Sequence, residues 1–378
     1  MFQCIRLLRV LFTAYFLHCL PLMAEGFLPV DVSFLIVDLK WHETRGAQVC
    51  EIQQGLKSTF RGYRMLYGEN EQMAEKVLGV LNRYYEKSWV CDRNFADPGF
   101  KEKFAKDSHW SCFKSLERLS DPDEFLLKAL PPPTDFSSLK DYRGFVFLSR
   151  LYNMNRETFR SIYPGMVLID NAFQSCVGNK YNMSKLLIGN PYTEAHKPMW
   201  KYYHITEENL AERILKDIPS DLLVIKPLKE YCARGVIILK REDLKETLEY
   251  LFEGKNKKVE VTDPAYEYWK NGTSSEFIVE EFIESEPVFV PHLGKTYIPT
   301  IRLVFLLFYD KGEIQIDCMG GYYNLPRVSL EEGGSLNEIC KSASKVPYFE
   351  KVESKLLKEA ETQIKEVLRI IYLKQLGL

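Results

Sequence analysis

The segment DLLVIKPLKEYCARGVIIL, residues 221–239, decides the fold of this chain. Two apolar runs at 222–226 and 235–239 predict two strands, and a short polar loop joins them. Lys226 ends the first run, and an unpaired charge is costly to bury, so this lysine must meet an anion. A phosphate group, held by charge attraction, is favoured, and a carboxylate within the fold is the alternative.

The loop KEYCARGV, residues 229–236, follows Lys226 after Pro227 and Leu228. Backbone N–H groups of glycine-rich loops cradle anions, and glycine permits their close approach. This loop contains Gly235 as its single glycine and Arg234 as a candidate phosphate-binding cation. A phosphate-covering loop and a plain hairpin turn are both open interpretations.

Composition predicts an ordinary globular protein. The chain has 378 residues, 46% hydrophobic and 27% charged, which suggests two or three domains. Lys+Arg number 50 against 52 Asp+Glu, so we expect no nucleic-acid binding driven by a basic surface. The nine cysteines show no CxxC or Cys/His zinc spacing, which predicts scattered reduced thiols, with one or two disulfides left open.

The first 24 residues resemble a signal peptide. MFQCIRLLR carries two arginines, and the apolar run VLFTAYFLHCLPLMA ends at Ala24. The run is short for a membrane-spanning helix. We therefore expect export with no stable membrane span. The alternatives are a misassigned start codon or an N-terminal helix packed on a cytoplasmic protein.

The first half of the chain predicts an α/β layer. Residues 32–39 and 47–53 are candidate strands, and apolar periodicity from about 71 to 89 predicts a helix. Two further apolar runs, 144–151 and 165–171, flank a helical stretch. Strands that alternate with helices imply a mostly parallel, Rossmann-like sheet.

The second half predicts a different architecture. A helix capped by Thr206 precedes the strands of the opening segment, and FIVEEFIESEPV at 277–288 predicts a strand that ends in paired glutamates. The runs on either side of DKG, residues 310–312, predict an antiparallel hairpin. The tail at 348–377 predicts an amphipathic helix.

This order of strand, lysine, loop, strand, helix and acidic strand resembles the ATP-grasp superfamily. The resemblance covers about residues 165–330. It implies an α+β fold of two subdomains that clasp ATP, with a Rossmann-like pre-ATP-grasp domain before it. The predicted divisions are 1–24 (signal-like segment), 27–165 (pre-ATP-grasp domain), 166–345 (ATP-grasp domain) and 346–378 (C-terminal helix).

The resemblance also implies a nucleotide site. One lysine in each of two segments would reach the phosphates. These are Lys180 in IDNAFQSCVGNKYNMSKLLIGN (169–190) and Lys226 in VIKP. In FIVEEFIESEPV a carboxylate would accept from the adenine amino group, two backbone groups would contact the ring edge, and later acids, Glu284 or Glu286, would take the ribose hydroxyls. The implied nucleotide-contacting residues are Lys180, Lys226, Arg234, Glu280, Glu281, Phe282, Ile283 and Glu286.

The hairpin stands where the family places its catalytic arginine and metal ligands. Arg302 lies in a strongly apolar strand and again requires an anion, which the resemblance identifies as the γ-phosphate or an acyl phosphate. Asp317 and Asn324 are the expected oxygen ligands of Mg²⁺. The spacing differs from the family, because the usual Glu-x-Asn pair is absent.

Three activities follow as expectations. The first is an ADP-forming, Mg²⁺-dependent ligase that joins an unidentified carboxylate to an amine or thiol through an acyl phosphate. The second is a degenerate ATP-grasp protein that binds a nucleotide or a partner without turnover, which the single-glycine loop favours. The third is a small-molecule phosphotransferase.

Overall fold

The computed structural model describes most of the chain from Val30 onward. The described residues are 30–54, 57–68, 73–84, 88–91, 110–113, 138–142, 144–148, 165–169, 172–173, 176, 178–230, 233–253, 263–270, 274–343 and 346–378. The signal-like segment lies outside these residues, so export stays a prediction, which N-terminal sequencing of the mature protein tests. Within the described part, no helix has the length and apolar character needed to span a bilayer.

The described elements are mostly strands. The strands are β1 Val30–His42, β2 Gly46–Gln53, β3 Ser88–Cys91, β4 Trp110–Phe113, β5 Gly144–Leu148, β6 Met166–Leu168, β7 Trp200–His204, β8 Leu222–Pro227, β9 Ile237–Lys240, β10 Glu276–Glu281, β11 Val288–Val290, β12 Lys295–Tyr297, β13 Thr300–Asp310, β14 Glu313–Asn324 and β15 Phe349–Glu350. The α-helices are α1 Lys57–Tyr67, α2 Met73–Leu81, α3 Lys180–Leu186, α4 Pro191–Ala195, α5 Leu210–Asp217, α6 Leu244–Glu253, α7 Pro264–Lys270, α8 Leu336–Cys340 and α9 Ser354–Leu376.

A five-stranded antiparallel sheet, here called the large sheet, forms the centre of the molecule. Its strand order is β15-β14-β13-β1-β2. Side chains of α1 and α2 pack on one face, and those of α9 pack on the other. Strand β13 is apolar along almost its whole length because both of its faces are covered. The hairpin predicted around DKG is confirmed as β13 and β14.

The predicted place of the first two strands is wrong. We expected residues 32–39 and 47–53 in a parallel layer of the first half. Instead, β1 pairs antiparallel with β13, more than 250 positions later in the chain, and β2 pairs antiparallel with β1. A continuous apolar run shows that a strand is buried on both faces, but it contains no information about which strand lies beside it.

A smaller parallel sheet is present, with the order β4-β3-β5-β6. All three of its strand pairs are parallel, and it includes the runs predicted near 144–151 and 165–171. The parallel layer is therefore smaller than expected, because β1 and β2 belong to the large sheet. The domain boundaries stay predictions.

A second antiparallel sheet, here called the small sheet, contains the opening segment. Its order is β7-β10-β8-β9. Successive side chains of a strand point to opposite faces. Leu223 and Ile225 consequently pack against the helices α5, α6 and α7. Val224, Lys226 and Glu280 lie on the opposite face, which we call the inter-sheet face because Lys226 contacts β2 of the large sheet there.

One predicted helix is confirmed, a second is shorter than predicted, and one predicted helix cap is wrong. The C-terminal helix is confirmed as α9, with Ala360, Ile364 and Val367 buried against the large sheet. The helix expected from about 71 to 89 ends earlier, at Leu81. Thr206 is not a helix cap: its hydroxyl lies 2.7 Å from the Nδ1 atom of His204, and α5 begins only at Leu210.

Candidate functional site

Lys226 meets a carboxylate of the fold. Its ammonium donates to Oε2 of Glu280 on the adjacent strand β10, and it lies 3.3 Å from the Cys50 carbonyl of β2. Glu280 is only 2% exposed. The other carboxylate oxygen of Glu280 accepts from Lys197, at 2.5 Å. Glu280 therefore bridges two lysines, and its carboxylate is used within the fold rather than directed toward an adenine.

The electrostatics of this bridge favour the charged state of Glu280. Burial alone would raise the pKa of its carboxyl group, but Lys197 and Lys226 hold that pKa below its ordinary value. Burial lowers the pKa of Lys197, and Glu280 only partly opposes this effect. For Lys226, burial is outweighed by Glu280, so the pKa of its ammonium is raised. The three groups form a buried, hydrogen-bonded ionic unit.

A third buried lysine lies beside this unit. Lys40 of β1 donates to the carbonyl of Pro299, at 3.0 Å, and its Nζ lies 6.0 Å from the centre of the Phe282 ring. The pKa of Lys40 is lowered by burial, which nearby groups such as Cys50 oppose only in part. Among the described residues no carboxylate lies within ion-pair distance of Lys40.

We call Lys40, Lys197, Lys226 and Glu280 the lysine cluster. Cys50 lies at its centre: burial raises the pKa of its thiol, the three lysines oppose that rise, and Glu280 adds to it. Two of the cluster's buried ammonium groups contact the buried Glu280 carboxylate, and the third, Lys40, lies beside them. The carboxylates of Glu51 and Glu284, which are less buried, act on Lys226 and Lys40 respectively. The cluster therefore has an excess of buried positive charge, and such an excess favours a bound anion.

Lys180 lies close to the cluster. It is the first residue of α3, which begins after the cap Asn179. Its ammonium donates to the Glu230 carbonyl and lies 3.5 Å from Glu51. Lys180, Lys197 and Cys50 line the same small cavity between β2 and α3. The structure thus brings the two predicted phosphate lysines, 180 and 226, to neighbouring positions through β2.

The loop after Lys226 packs against α7. Gly235 has φ +70°, and a Cβ atom there would lie 2.4 Å from the Tyr268 ring, so glycine is required for both reasons. Trp269 Nε1 donates to the Gly235 carbonyl at 2.8 Å. Arg234 is 70% exposed and lies 3.8 Å from Glu230, apart from the lysine cluster. These contacts favour the hairpin-turn interpretation of the described part of this loop.

We call residues 280–286, which follow the apolar part of β10, the hinge, and its residues after Glu280 have separate roles. Glu281 pairs with Arg45 at 2.7 Å and also accepts from the Met199 backbone at 2.8 Å. The Phe282 N–H donates to the Leu222 carbonyl, at 3.0 Å, so it is used within the fold.

Two further hinge positions were predicted to contact the nucleotide. Ile283 is buried, whereas the side chain of Glu286 is exposed. The Glu286 N–H donates to the Trp41 carbonyl, at 3.2 Å, which joins the hinge to β1.

Arg302 also meets a protein carboxylate. Its guanidinium forms a two-point ion pair with Asp38 of β1, with both N–O distances 2.7 Å. Burial alone would lower the pKa of Arg302, but Asp38 raises it. The anion that the sequence required for this arginine is present within the fold. Its predicted contact with a transferred phosphoryl group stays a prediction.

The two predicted metal ligands do not converge. Asp317 and Asn324 lie seven positions apart on β14, and at about 3.3 Å per residue this places them roughly 20 Å apart. Asp317 accepts from Gln315 at 2.7 Å, while Asn324 is buried at the other end of the strand. Within the described residues no group of three His, Cys, Asp or Glu side chains could hold a metal ion. This donor set does not fit the predicted magnesium site.

Sequence reasoning missed Lys40, Asp38 and Lys197. The first two carried a detectable signal, because a charged residue inside the apolar run of β1 requires a partner just as Lys226 does. Lys197, in the polar stretch EAHKPMW, carried none. Its importance arises only from the docking of the 195–197 segment on β2, where the Val49 N–H donates to the His196 carbonyl at 2.7 Å.

Comparison with known proteins gives distant structural likeness only. No family model and no curated protein matches this sequence. A putative gamma-glutamylcysteine synthetase from Methylobacillus flagellatus KT is 8% identical, with 91% of this chain and 90% of that chain covered, and a TM-score of 0.47. A glutathione synthetase-like effector from Globodera pallida is 11% identical, with 79% and 74% covered and a TM-score of 0.40.

A D-alanine–D-alanine ligase from Bacillus anthracis is 15% identical, with 76% of this chain and 99% of that chain covered, and a TM-score of 0.33. These neighbours are ATP-grasp enzymes. They come from the superfamily that the sequence motifs resemble. At such identities and TM-scores the likeness identifies no activity for this chain.

Proposed function

We propose that the lysine cluster binds the phosphate groups of ATP, and that the chain is an ATP-dependent ligase of the ATP-grasp type. The observation that carries this proposal is the charge imbalance of the fully buried groups: Lys40, Lys197 and Lys226 are each less than a tenth exposed, and Glu280 is the one carboxylate of the cluster that is equally buried. An anion at this place would offset the desolvation of the lysines. Lys180 lies on the wall of the adjoining cavity, together with Lys197 and with Glu51, whose carboxylate is 3.5 Å from the Lys180 ammonium.

The proposed reaction joins a carboxylate to an amine or thiol. The substrate carboxylate attacks the γ-phosphorus of ATP, the bond to the bridging oxygen of ADP breaks, and an acyl phosphate forms. The amine or thiol then attacks the acyl carbon, the bond to phosphate breaks, and the nucleophile loses a proton. Such chemistry depends on positioning and charge neutralisation rather than on a nucleophilic side chain. Lys226 and Lys197 hold phosphate oxygens in this scheme. No step is assigned to a metal ion, because the predicted ligands do not converge.

Binding of ATP to a Lys226→Met variant, measured by calorimetry, tests the proposal. A hydrogen bond to a charged group contributes about 1.5–3 kcal/mol, so we expect a loss of roughly 10- to 100-fold in affinity. Lys240→Met is the matched control, because Lys240 lies on the next strand, is exposed and, among the described residues, pairs with nearby Glu242. Equal ATP affinity in both variants, with both folded by circular dichroism, would refute a phosphate contact at Lys226.

A nucleotide-binding protein without turnover is the second candidate. It is favoured by Arg302, whose guanidinium is engaged by Asp38, and by the packing of Gly235 against Tyr268. A screen of carboxylates with amines and thiols separates the candidates. A ligase releases ADP and phosphate in step with product, a phosphotransferase releases ADP and a phosphorylated product, and a binding protein releases neither while its ATP affinity persists.

A further inference from the structure

A loop that starts and ends at the large sheet reaches across to the small sheet. The loop leaves the end of β14, and its two ends lie together because Pro326 and Ser342 form an antiparallel bridge. The N–H of Ala343 also donates to the Leu325 carbonyl, at 2.8 Å. A compact loop with neighbouring ends is of the Ω type, which frequently has a functional role. We call residues 326–342, which include α8, the strap.

Two polar contacts fasten the strap to the small-sheet side. The Asn337 side chain accepts from the Ile238 N–H at 2.8 Å and donates to the Ile238 carbonyl at 3.1 Å, so it pairs with the outer edge of β9. The Lys341 ammonium donates to Asp263 at 2.7 Å. Asp263 immediately precedes α7, which packs on the small sheet. Both contacts therefore join the strap to the small sheet and its helices.

The apolar side of α8 covers part of the inter-sheet face. Cys340 packs with Val224 and Ile238 of the small sheet and with Ile298, just before β13. Among the described residues these four are the buried members of this cluster, whereas the cluster on the other face of the small sheet has fourteen. Separation of α8 from the sheet therefore exposes little apolar surface, and its cost in free energy is correspondingly small.

The strap also lies against the lysine cluster. Phe282, whose ring centre is 6.0 Å from the Nζ atom of Lys40, packs on the same apolar cluster as Cys340. Burial raises the pKa of the Cys340 thiol to about 11, and the nearby Lys40 ammonium opposes this rise. One side of the lysine cluster is consequently closed by α8.

The lysine cluster has little free space in this closed arrangement. Lys40, Lys197 and Lys226 are each less than a tenth exposed. The cavity that Lys180 and Lys197 line has a volume of about 20 Å³. This volume is enough for about one water molecule and is too small for a chain of phosphate groups. A nucleotide that binds the cluster must therefore first displace a part of the fold.

We infer that the strap is an autoinhibitory gate, which must leave the inter-sheet face before a nucleotide reaches the lysine cluster. This inference rests on the proposed function, because it assigns the strap to the same nucleotide. In the open state water replaces Asn337 on the Ile238 backbone and solvates the charges of Lys341 and Asp263, so opening has a small net cost. While the open state is a minor fraction, the closed strap weakens the apparent affinity by that fraction.

Calorimetry of ATP binding to strap variants tests the gate. Asn337→Ala removes two hydrogen bonds of the closed state alone, so we expect ATP affinity to rise by roughly 5- to 150-fold. Lys341→Met removes one ion pair of the closed state, and we expect a rise of roughly 2- to 5-fold. Lys295→Met is the matched control: it breaks a 2.6 Å ion pair with Glu332 that joins the strap to β12, next to the large sheet. The control should leave ATP affinity unchanged.

Amide hydrogen exchange in β9 reports the gate in the wild-type chain. The Ile238 N–H donates to the strap, whereas the next residue, Leu239, directs its N–H toward β8, because successive residues of an antiparallel pair alternate in direction. A minor open state is populated at about 0.1–10%, so saturating ATP should speed exchange at Ile238 by roughly tenfold or more. Exchange at Leu239 should not become faster.

The gate and the proposed function fail in different ways. An equal or lower ATP affinity of Asn337→Ala, or an Ile238 amide that bound ATP leaves protected, overturns the gate, while ATP binding itself leaves the proposed function standing. If ATP binds to neither the wild type nor the strap variants, the proposed function falls and the gate falls with it. The exchange measurement needs no substitution, so it decides the question even if a variant does not fold.

Discussion

Glu280→Gln provides the sharpest test of the lysine cluster. The side chain is 2% exposed and bridges two ammonium groups, and glutamine keeps its size while removing its charge. Removing one partner of a buried ion pair costs about 3–5 kcal/mol, because an uncompensated charge remains. Here two lysines lose the same partner, so we expect a loss near the upper end of that range. This is a large share of a typical stability of about 5–15 kcal/mol.

The assay is urea denaturation at pH 7 without nucleotide, followed by tryptophan fluorescence and circular dichroism. The unfolding midpoint should fall while the slope is unchanged. Glu281→Gln is the matched control: it is the next residue on the same strand, it points to the other face, and its partner Arg45 is part-exposed. We expect the control to cost at most about 1 kcal/mol.

A triple variant tests the reason for the loss. Replacing Lys197, Glu280 and Lys226 by Met, Leu and Met removes all three charges, and such replacements of buried ion pairs are often neutral or stabilising. The explanation would be refuted by a Glu280→Gln loss no larger than that of Glu281→Gln. It would also be refuted by a triple variant that is less stable than Glu280→Gln.

Three other predictions follow from the same contacts. The two lysines hold the pKa of the Glu280 carboxyl below its ordinary value of 4.5. The contribution of Glu280 to stability is therefore present above that pH and is lost as the pH falls through the folded pKa. The urea midpoint of the wild type should consequently fall in acid more steeply than the midpoint of Glu280→Gln. Gly321→Ala would place a Cβ 2.6 Å from the Arg302 carbonyl oxygen of β13 and should lower the free energy of unfolding by about 1–3 kcal/mol. Gly79→Ala is the control: apart from its own helix backbone and chain neighbours, no described atom lies within 4 Å of the added Cβ, so this change should be neutral or stabilising in the same denaturation assay. Ile364→Ala, at a fully buried position of α9, should cost about 2–5 kcal/mol, and a thermal midpoint equal to that of wild type would contradict the packing of α9 on the large sheet.

Much of the fold was predictable from local patterns. The turn residues of DKG predicted the hairpin of β13 and β14, and the spacing of Ala360, Ile364 and Val367 predicted the buried face of α9. These features depend on residues that are close in sequence. The pairing of β1 with β13 was not predictable in this way, because an apolar strand is compatible with many neighbours.

The candidate site shows the same difference between what neighbouring residues determine and what long-range contacts determine. The sequence alone showed that Lys226 and Arg302 lie in apolar strands and must each meet an anion, because desolvation of a charge follows from its immediate neighbours. Only the tertiary structure decided which anion each one meets. Glu280 lies 54 positions from Lys226, and Asp38 lies 264 positions from Arg302. Lys40, Lys197 and Lys226 come together only because β1, β8 and the 195–197 segment meet at the inter-sheet face, and the charge balance of a buried site depends on every segment that reaches it.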